Sequence, residues 1–222
     1  MELTKLGITI VRNELFPSNT YLLKSDRSSD CLVIDPGLDA KKILNKIDEL
    51  GLKPIAILAT HGHFDHIATV SEIKEKFQIP FFMHESDVKL SQSANFYLKL
   101  TKINYKITTP SPDYLFKSKK EELTLGDFRL TVYNFPGHSN GSCIIQCHDL
   151  LFSGDIVYKK GLGFNNFPGE NLSKLKTSIK EVFDSFPQNS IALPGHGEPE
   201  YLNKIRSNNT ELIAFLNQNA LQ

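Results

Sequence analysis

The chain has no surplus of charge of either sign: 25 lysines and arginines stand against 25 aspartates and glutamates in 222 residues. Without a basic excess, neither nucleic acid nor an anionic membrane surface is expected as the main partner. A Cys-x-x-Cys pair is missing. Cys31, Cys143 and Cys147 are odd in number and lie in apolar stretches, which reads as small core residues in a reducing compartment. No apolar run approaches membrane-spanning length. Met1 to Val11 lacks the apolar core and cleavage-like site of a secretory signal, so a cytoplasmic location is expected. Short repeats, low-complexity tracts and linker-like stretches are absent too. What is present is 40% hydrophobic and 23% charged residues, the balance of an ordinary globular protein, expected as one domain over 1–222.

Against this background stands Thr60-His61-Gly62-His63-Phe64-Asp65-His66. Pro54 to Ala59 reads as a buried strand before it, and Ile67, Val70, Ile73 and Phe77 recur at helical spacing after it. The stretch is therefore a strand-to-helix loop at the carboxyl end of a strand, where open α/β sheets place their sites. His61 and His63 are two apart, so an extended backbone aims both at one point. Asp65 and His66 fall where the chain turns into the helix and face a second point nearby. Imidazoles and carboxylates are ligands for zinc or iron. The competing reading, a polar helix start with Asp65 near its N-terminus, leaves too many buried polar groups without a purpose.

Along the chain, Leu6–Arg12, Asn19–Lys24 and Cys31–Ile34 read as strands, the last ending in the turn Asp35-Pro36-Gly37. Asp39 is a candidate N-cap for a helix with Ile43, Leu44, Ile47 and Leu50 on one face, stopped by Gly51. Phe81–Met83 is another strand, and 85–100 is expected to be helical in part. Residues 101–120 read as an exposed loop over the site. From Leu123 the period changes to two, and 143–146 with 150–152 form a hairpin. A helix bearing Leu172, Leu175, Ile179, Val182 and Phe183, a strand at 191–193 and a last helix from Thr210 complete the pattern. Two batches of strands, each followed by helix-strand units, fit two mixed sheets packed face to face with helices outside, an αββα sandwich.

Three further residues sit in glycine-bearing loops at strand ends: His138 in Pro136-Gly137-His138, Asp155 in Ser153-Gly154-Asp155 and His196 in Pro194-Gly195-His196. Glycine lets backbone approach a ligand closely. Seven ligands suit two divalent metal ions: three histidines for one, an aspartate and two histidines for the other, and one aspartate shared, with positions left open for water.

Thr60-His61-x-His63-x-Asp65-His66, followed by His138, Asp155 and His196, resembles the metallo-β-lactamase superfamily from about Leu6 to Arg206. The resemblance implies that His61, His63 and His138 bind the first metal, that Asp65, His66 and His196 bind the second, and that Asp155 bridges. Asp35 matches the family's Asp-Pro-Gly aspartate beneath the site; read on its own it is a plain turn aspartate. Gly137-His138-Ser139-x-Gly141-Ser142, Ser153-Gly154-Asp155, Pro194-Gly195-His196-Gly197 and Phe167-Pro168-Gly169 are most similar to the glyoxalase II-like branch, the hydroxyacylglutathione hydrolases. The chain departs from it at Gly163-Phe164-Asn165-Asn166, where that branch often carries an arginine and an acid. True β-lactamases usually lack the bridging aspartate, superfamily nucleases carry a large inserted domain, and the flavo-diiron branch has glutamate at the His63 position.

The implied function is a binuclear metallohydrolase that cleaves a small-molecule thioester, S-lactoylglutathione or a related one. Its nucleophile is a hydroxide held by the metals, zinc first with iron or manganese as alternatives. A thiolate leaves readily, so no strong general acid is needed, and Asp65 is a candidate for proton handling. The rival is a persulfide dioxygenase of the same fold with one iron on His61, His138 and Asp155. Tyr158 and Phe164, after Asp155, are candidates for the substrate pocket, with ordinary loop packing as the alternative. His84 reads as a cap or surface residue and His148 as a solvated turn residue. The 26 residues after His196 hold one or two helices, and the missing arginine predicts weak selection for glutathione, whose two carboxylates suit arginine. Lys117, Lys119, Lys120, Lys159 and Lys160 read as solvated. The sequence does not indicate an oligomeric state.

Overall fold

Alternation along the central strands sets the layering. In the computed structural model, which describes residues 3–164, 167 and 169–218, Cys31 and Val33 of one strand join one apolar cluster while Leu32 and Ile34 join another. Successive side chains of a strand point to opposite faces, so a strand apolar throughout is covered on both.

The first sheet runs in chain order: β1 (Ile8–Arg12), β2 (Asn19–Lys24), β3 (Asp30–Ile34), β4 (Lys53–Leu58), β5 (Phe81–His84) and β6 (Tyr114–Phe116). β1 to β3 pair antiparallel, and β3 to β6 pair parallel. The second sheet comprises β7 (Lys120–Leu125), β8 (Phe128–Asn134), β9 (Cys143–Cys147), β10 (Leu150–Gly154), β11 (Ile191–Pro194) and β12 (Glu200–Tyr201). There only β10 and β11 are parallel, because a parallel pair needs a crossover and the helix at Leu172–Ser185 supplies it.

The inner layer joins the sheets through Tyr21, Leu32, Ile34, Ala56 and Leu58 on one side and Leu130, Val132, Ile145, Phe152 and Leu193 on the other. Outside the first sheet lie α1 (Ala40–Glu49), α2 (Phe64–Ile67), α3 (Val70–Phe77), α4 (Val88–Gln92) and α5 (Ala94–Leu100). Ile43, Ile47, Val70, Ile73 and Leu98 from these helices pack against Val33, Ile57 and Phe81. Outside the second sheet, α6 (Leu172–Ser185), α7 (Leu202–Asn208) and α8 (Thr210–Asn217) cover Ile144, Leu151 and Ala192. This is the αββα sandwich of two mixed sheets.

The local signals mostly hold. Asp39 accepts from the Lys42 amide as an N-cap, and Gly51 follows α1 at φ +59°. Two expectations need correction, the start of the first strand and the 101–120 loop, and two, the 85–100 stretch and the tail, gain detail. The first strand begins at Ile8, after a 3₁₀ turn over Leu3–Leu6. Residues 85–100 are helical in part as expected, in three short pieces, a 3₁₀ turn at Glu85–Asp87, α4 and α5, the last two meeting at Ser93. The tail adds β12 and α7 before α8. The segment 101–120 is an exposed loop only as far as Asp113, and beyond Thr101, which lines the cavity over the site, it follows the flank of the first sheet. Asn95 hydrogen-bonds both the amide and the carbonyl of Ile107, Ser71 and Lys74 hold the Thr108 and Ser111 carbonyls, and the chain then enters the first sheet as β6. Backbone polar groups found partners on α5 and α3, which draws the segment onto the flank of the sheet.

Candidate metal centre

The seven candidate ligands come from loops at the carboxyl ends of four strands and from α2. His61 and His63 follow β4, and His63 caps α2, which carries Asp65 and His66. His138, Asp155 and His196 follow β8, β10 and β11. Each of the seven except His196 is buried, and the side chain of His196 is 30% exposed.

His61 Nε2 lies 3.0 Å from His63 Nδ1, while His138 Nε2 lies 2.8 Å from His63 Nδ1 and 3.2 Å from His61 Nε2. His138 Nδ1 donates to the Gly163 carbonyl at 2.8 Å, which turns the lone pair of its Nε2 inward. Burial, reinforced by neighbouring imidazoles, holds His61 well below its ordinary pKa and lowers His63 to about 3. Neutral imidazoles facing one point cannot all satisfy each other, since each has a single N–H. They can all donate lone pairs to one cation.

The second group lies alongside. Asp65 Oδ2 is 3.4 Å from His66 Nε2 and 3.2 Å from His196 Nε2. The Asp155 carboxylate spans both groups: Oδ2 is 3.4 Å from both His138 Nε2 and His196 Nε2, and Oδ1 is 3.5 Å from His66 Nε2. Burial opposes ionisation of Asp65 and Asp155, but the cationic His66 and His196 outweigh it and hold both carboxyls well below the usual range. Burial likewise opposes charge on His66 and His196, yet the carboxylates outweigh it, raising His66 and bringing His196 to about 10. Asp65 Oδ2, His66 Nε2 and Asp155 Oδ1 are buried with no hydrogen-bond partner. Orphaned buried atoms of this kind are costly. The cost disappears if they ligate a cation, so the residues present fit two metal ions.

Neighbouring side chains fix these loops. Asp35, at φ +52°, accepts from the Thr60 amide and hydroxyl at 2.7 Å each and from His66 Nδ1 at 2.9 Å. It therefore sets the orientation of His66 and is more than a turn former. Asp87, which sequence reasoning missed, is buried and accepts from the Gly62 amide at 2.8 Å, the Gly141 amide at 2.7 Å and the Ser139 hydroxyl at 2.6 Å. It ties the His61–His63 loop to the His138 loop. Asn19 and Tyr21 of β2 donate to the Pro194 carbonyl at 2.9 and 2.6 Å, clamping the His196 loop to the opposite sheet. A Cβ on Gly195 would lie 2.2 Å from Asp155 Oδ1 and 2.4 Å from His66, so only glycine admits the second group there. Asp35 was marked by its Asp-Pro-Gly turn; Asp87, Asn19 and Tyr21 had no local sequence signal, since each of their contacts joins residues far apart in the chain.

Above the ligands is a cavity of about 450 Å³ lined by Tyr158, Phe16, Phe64, Tyr97, Leu162 and Phe167, among others. Tyr158 hydrogen-bonds Asp155, and burial and that carboxylate raise its phenol well above the ordinary value. Phe164 is not among the residues that line the cavity; partly buried, it packs against the apolar cluster under α6. Asn165, Asn166 and Pro168 lie outside the described residues. His84 is buried rather than on the surface and accepts from the Ser86 amide as a cap; His148 is exposed at φ +54°. Of the five lysines singled out, Lys119, Lys120 and Lys159 pair with Glu181, Glu122 and Glu200, whereas Lys160 lines the cavity.

A family model described as the metallo-beta-lactamase superfamily matches residues 13–196. The chain belongs to this superfamily. A probable metallo-hydrolase, YqgX of Bacillus subtilis, is 37% identical over 182 residues, covering 81% of this chain and 85% of the relative. The hydroxyacylglutathione hydrolase GloC of Haemophilus influenzae is 28% identical, covering 86% of this chain and 91% of GloC, which supports the glyoxalase II-like branch. Among solved structures, the BLEG-1 B3 metallo-beta-lactamase superposes with a TM-score of 0.84 at 30% identity, covering 92% of this chain and 99% of the other. TTHA1623 in a di-iron-bound form superposes with a TM-score of 0.80 at 27% identity, covering 91% and 98%. Family and donor groups together support a metal-dependent hydrolase. Among the described residues no helix is long and apolar enough to cross a membrane.

Proposed function

We propose that this protein is a binuclear metallohydrolase that cleaves small-molecule thioesters. The observation that carries the reading is the Asp155 carboxylate, whose two oxygens reach toward His138 and His196 on one side and His66 on the other. Two divalent ions bound there would supply an activated water and polarise the scissile carbonyl. Asp65, whose Oδ2 lies 3.2 Å from His196 Nε2 beside both donor groups, would be the group that handles the proton of the attacking water. No strong acid is needed for the other product, because a thiolate leaves without protonation. His138 is held by the Gly163 carbonyl and His66 by Asp35, so both imidazoles are oriented before substrate arrives.

Zinc is our first assignment for the metal, with manganese or iron admitted by the same donors; TTHA1623 in its di-iron form favours keeping iron in view. The likeness to GloC supports a thioester. Lys160 is the one lysine or arginine among the described residues lining the cavity, which supports weak selection for the doubly carboxylated glutathione arm. The free, buried cysteines suit a reducing, cytoplasmic setting.

The test is metal content together with substrate choice. Protein purified without added metal and then saturated with zinc is expected to hold two ions per chain and to hydrolyse both S-lactoylglutathione and a lactoyl thioester of a small uncharged thiol. Their kcat/KM values are expected within about a hundredfold of each other, roughly 2.7 kcal/mol. A chain that never exceeds one ion, carries iron and consumes oxygen with a persulfide would overturn the reading in favour of the dioxygenase. Turnover of a β-lactam without thioester cleavage would overturn it as well.

A further inference from the structure

The walls of the cavity are made of rings, and the rings begin at the ligands themselves. Tyr97 and Phe167 stand edge-on to His63, with centroids at 6.2 and 5.9 Å, and to each other at 5.6 Å. Phe16 stands edge-on to His196 at 6.1 Å and to Phe64 at 5.1 Å. Both donor groups are thus flanked by apolar surface, so whatever is bonded to a carbonyl held between them meets aromatic faces at its first or second carbon. The apolar surface continues outward along α5. Phe96, 5.7 Å from Tyr97, and Leu100, one turn further, are 58% and 54% exposed. Phe96 and Leu100 each precede a cavity-lining residue, Tyr97 and Thr101, and exposed apolar surface next to a concave site marks ligand contact.

A lactoyl group is poorly matched to this surface. It has three carbons, one of them hydroxylated, and would leave most of the ring wall against water. Resting on the thioesterase reading above, we propose that the substrate is a thioester of an apolar acyl group, alkyl or aryl, whose body lies along the Tyr97–Phe167 wall and continues toward Phe96 and Leu100. The apolar arm is assigned to the acyl side because small thiol carriers that circulate in water are polar. Tyr97 and Phe16 then act as specificity-determining residues: they touch the acyl body, and they do not touch the attacking water.

The experiment uses zinc-loaded protein and one small uncharged thiol, N-acetylcysteamine, carrying lactoyl, butyryl, hexanoyl or phenylacetyl groups. Burial of a methylene is worth about fourfold in an association constant. kcat/KM is expected to rise about that much per carbon from butyryl to hexanoyl, and phenylacetyl to exceed lactoyl by at least about tenfold. Tyr97→Ala and Phe16→Ala are each expected to lower the hexanoyl-to-lactoyl ratio. A readout independent of turnover is calorimetric binding of uncleavable thioethers: the S-hexyl compound is expected to bind more tightly than the S-(2-hydroxypropyl) compound, with a negative heat-capacity change. If all four thioesters are cleaved at equal kcat/KM, or if the rate follows the length of the thiol and not of the acyl group, the inference is overturned while the hydrolase reading stands. If no thioester is cleaved, the hydrolase reading fails, and the thioether binding decides on the apolar site separately: equal affinities overturn it.

Discussion

At the scale of single residues, the centre works because a few carboxylates each serve several partners. Asp155→Ala is expected to abolish turnover and to bring bound metal below one ion per chain, measured by elemental analysis, because one carboxylate faces both donor groups. Asp35→Ala leaves His66 unoriented and is expected to cost about 10–100-fold in metal affinity or activity; His84→Ala, which removes only a cap to Ser86, should be mild beside both. Asp87 holds two ligand loops together through three hydrogen bonds to a buried carboxylate. Hydrogen bonds to charged groups are worth about 1.5–3 kcal/mol, so Asp87→Ala should lower unfolding free energy by that much in urea titration and weaken the first metal more than the second. A fully stable Asp87→Ala protein with unaltered metal affinity would remove Asp87 from this role.

Protonation separates the two donor groups. His63 stays neutral down to about pH 3, whereas His196 holds its proton up to about pH 10. Loading the Asp65–His66–His196 group at pH 7 must therefore expel protons, and its apparent affinity should fall as pH falls. Calorimetry in buffers of different ionisation enthalpy should show proton release with the second binding event; identical heats across buffers would contradict the assignment. In the metal-free protein the same raised pKa of His196 contributes stability that is fully present below its ordinary value of 6.5 and is lost as pH rises through about 10.

At the scale of elements, the site depends on how loops meet helices. Gly137, beside His138, has φ +146°, and a Cβ there would lie 2.3 Å from the backbone of Leu175 in α6. Its carbonyl also accepts from the Asn171 amide at 2.7 Å, at the N-cap of that helix. Gly137→Ala should therefore destabilise the fold by about 1–3 kcal/mol and push His138 off its line. Denaturation midpoint and metal titration should move together. A change in midpoint with intact metal affinity would show that the loop relaxes without disturbing the ligand.

At the scale of the whole molecule, the centre bridges the two sheets. His61, His63, Asp65 and His66 come from the first sheet and its helix, and His138, Asp155 and His196 from the second. Bound ions therefore clamp the sandwich across its inner layer. Metal at about a thousand times its dissociation constant adds about 4 kcal/mol to stability, and for a chain of this size 1 kcal/mol shifts Tm by about 2–4 °C. Removal of metal by a chelator should lower Tm by roughly 10 °C in calorimetry. An unchanged Tm in protein shown to have lost its metal would mean that the sandwich holds without the clamp.

The candidate donors at 61–66 stood out in the sequence because their spacing is local. A strand that ends in His-x-His and turns into a helix at Asp-His leaves few geometries, and glycine beside each of His138, Asp155 and His196 marks a close approach. The sandwich was legible because runs such as Cys31–Ile34 are apolar at every position and so need cover on both faces. Other features were settled only when distant segments met. Asp87 looks like any acid in a helical stretch until the fold carries Gly62 and Gly141 to it. Phe164 and Phe167 are equally aromatic and three apart, yet one packs, partly buried, against the cluster under α6 and the other stands edge-on to His63. The 101–120 segment has the composition of an open loop, but its carbonyls found donors on α5 and α3. Local sequence determines backbone direction and the chemistry on offer. Which buried donor meets which acceptor depends on long-range packing, because a hydrogen bond between residues 25 or 54 positions apart, as Gly62 and Gly141 make with Asp87, has no counterpart in the spacing of either segment.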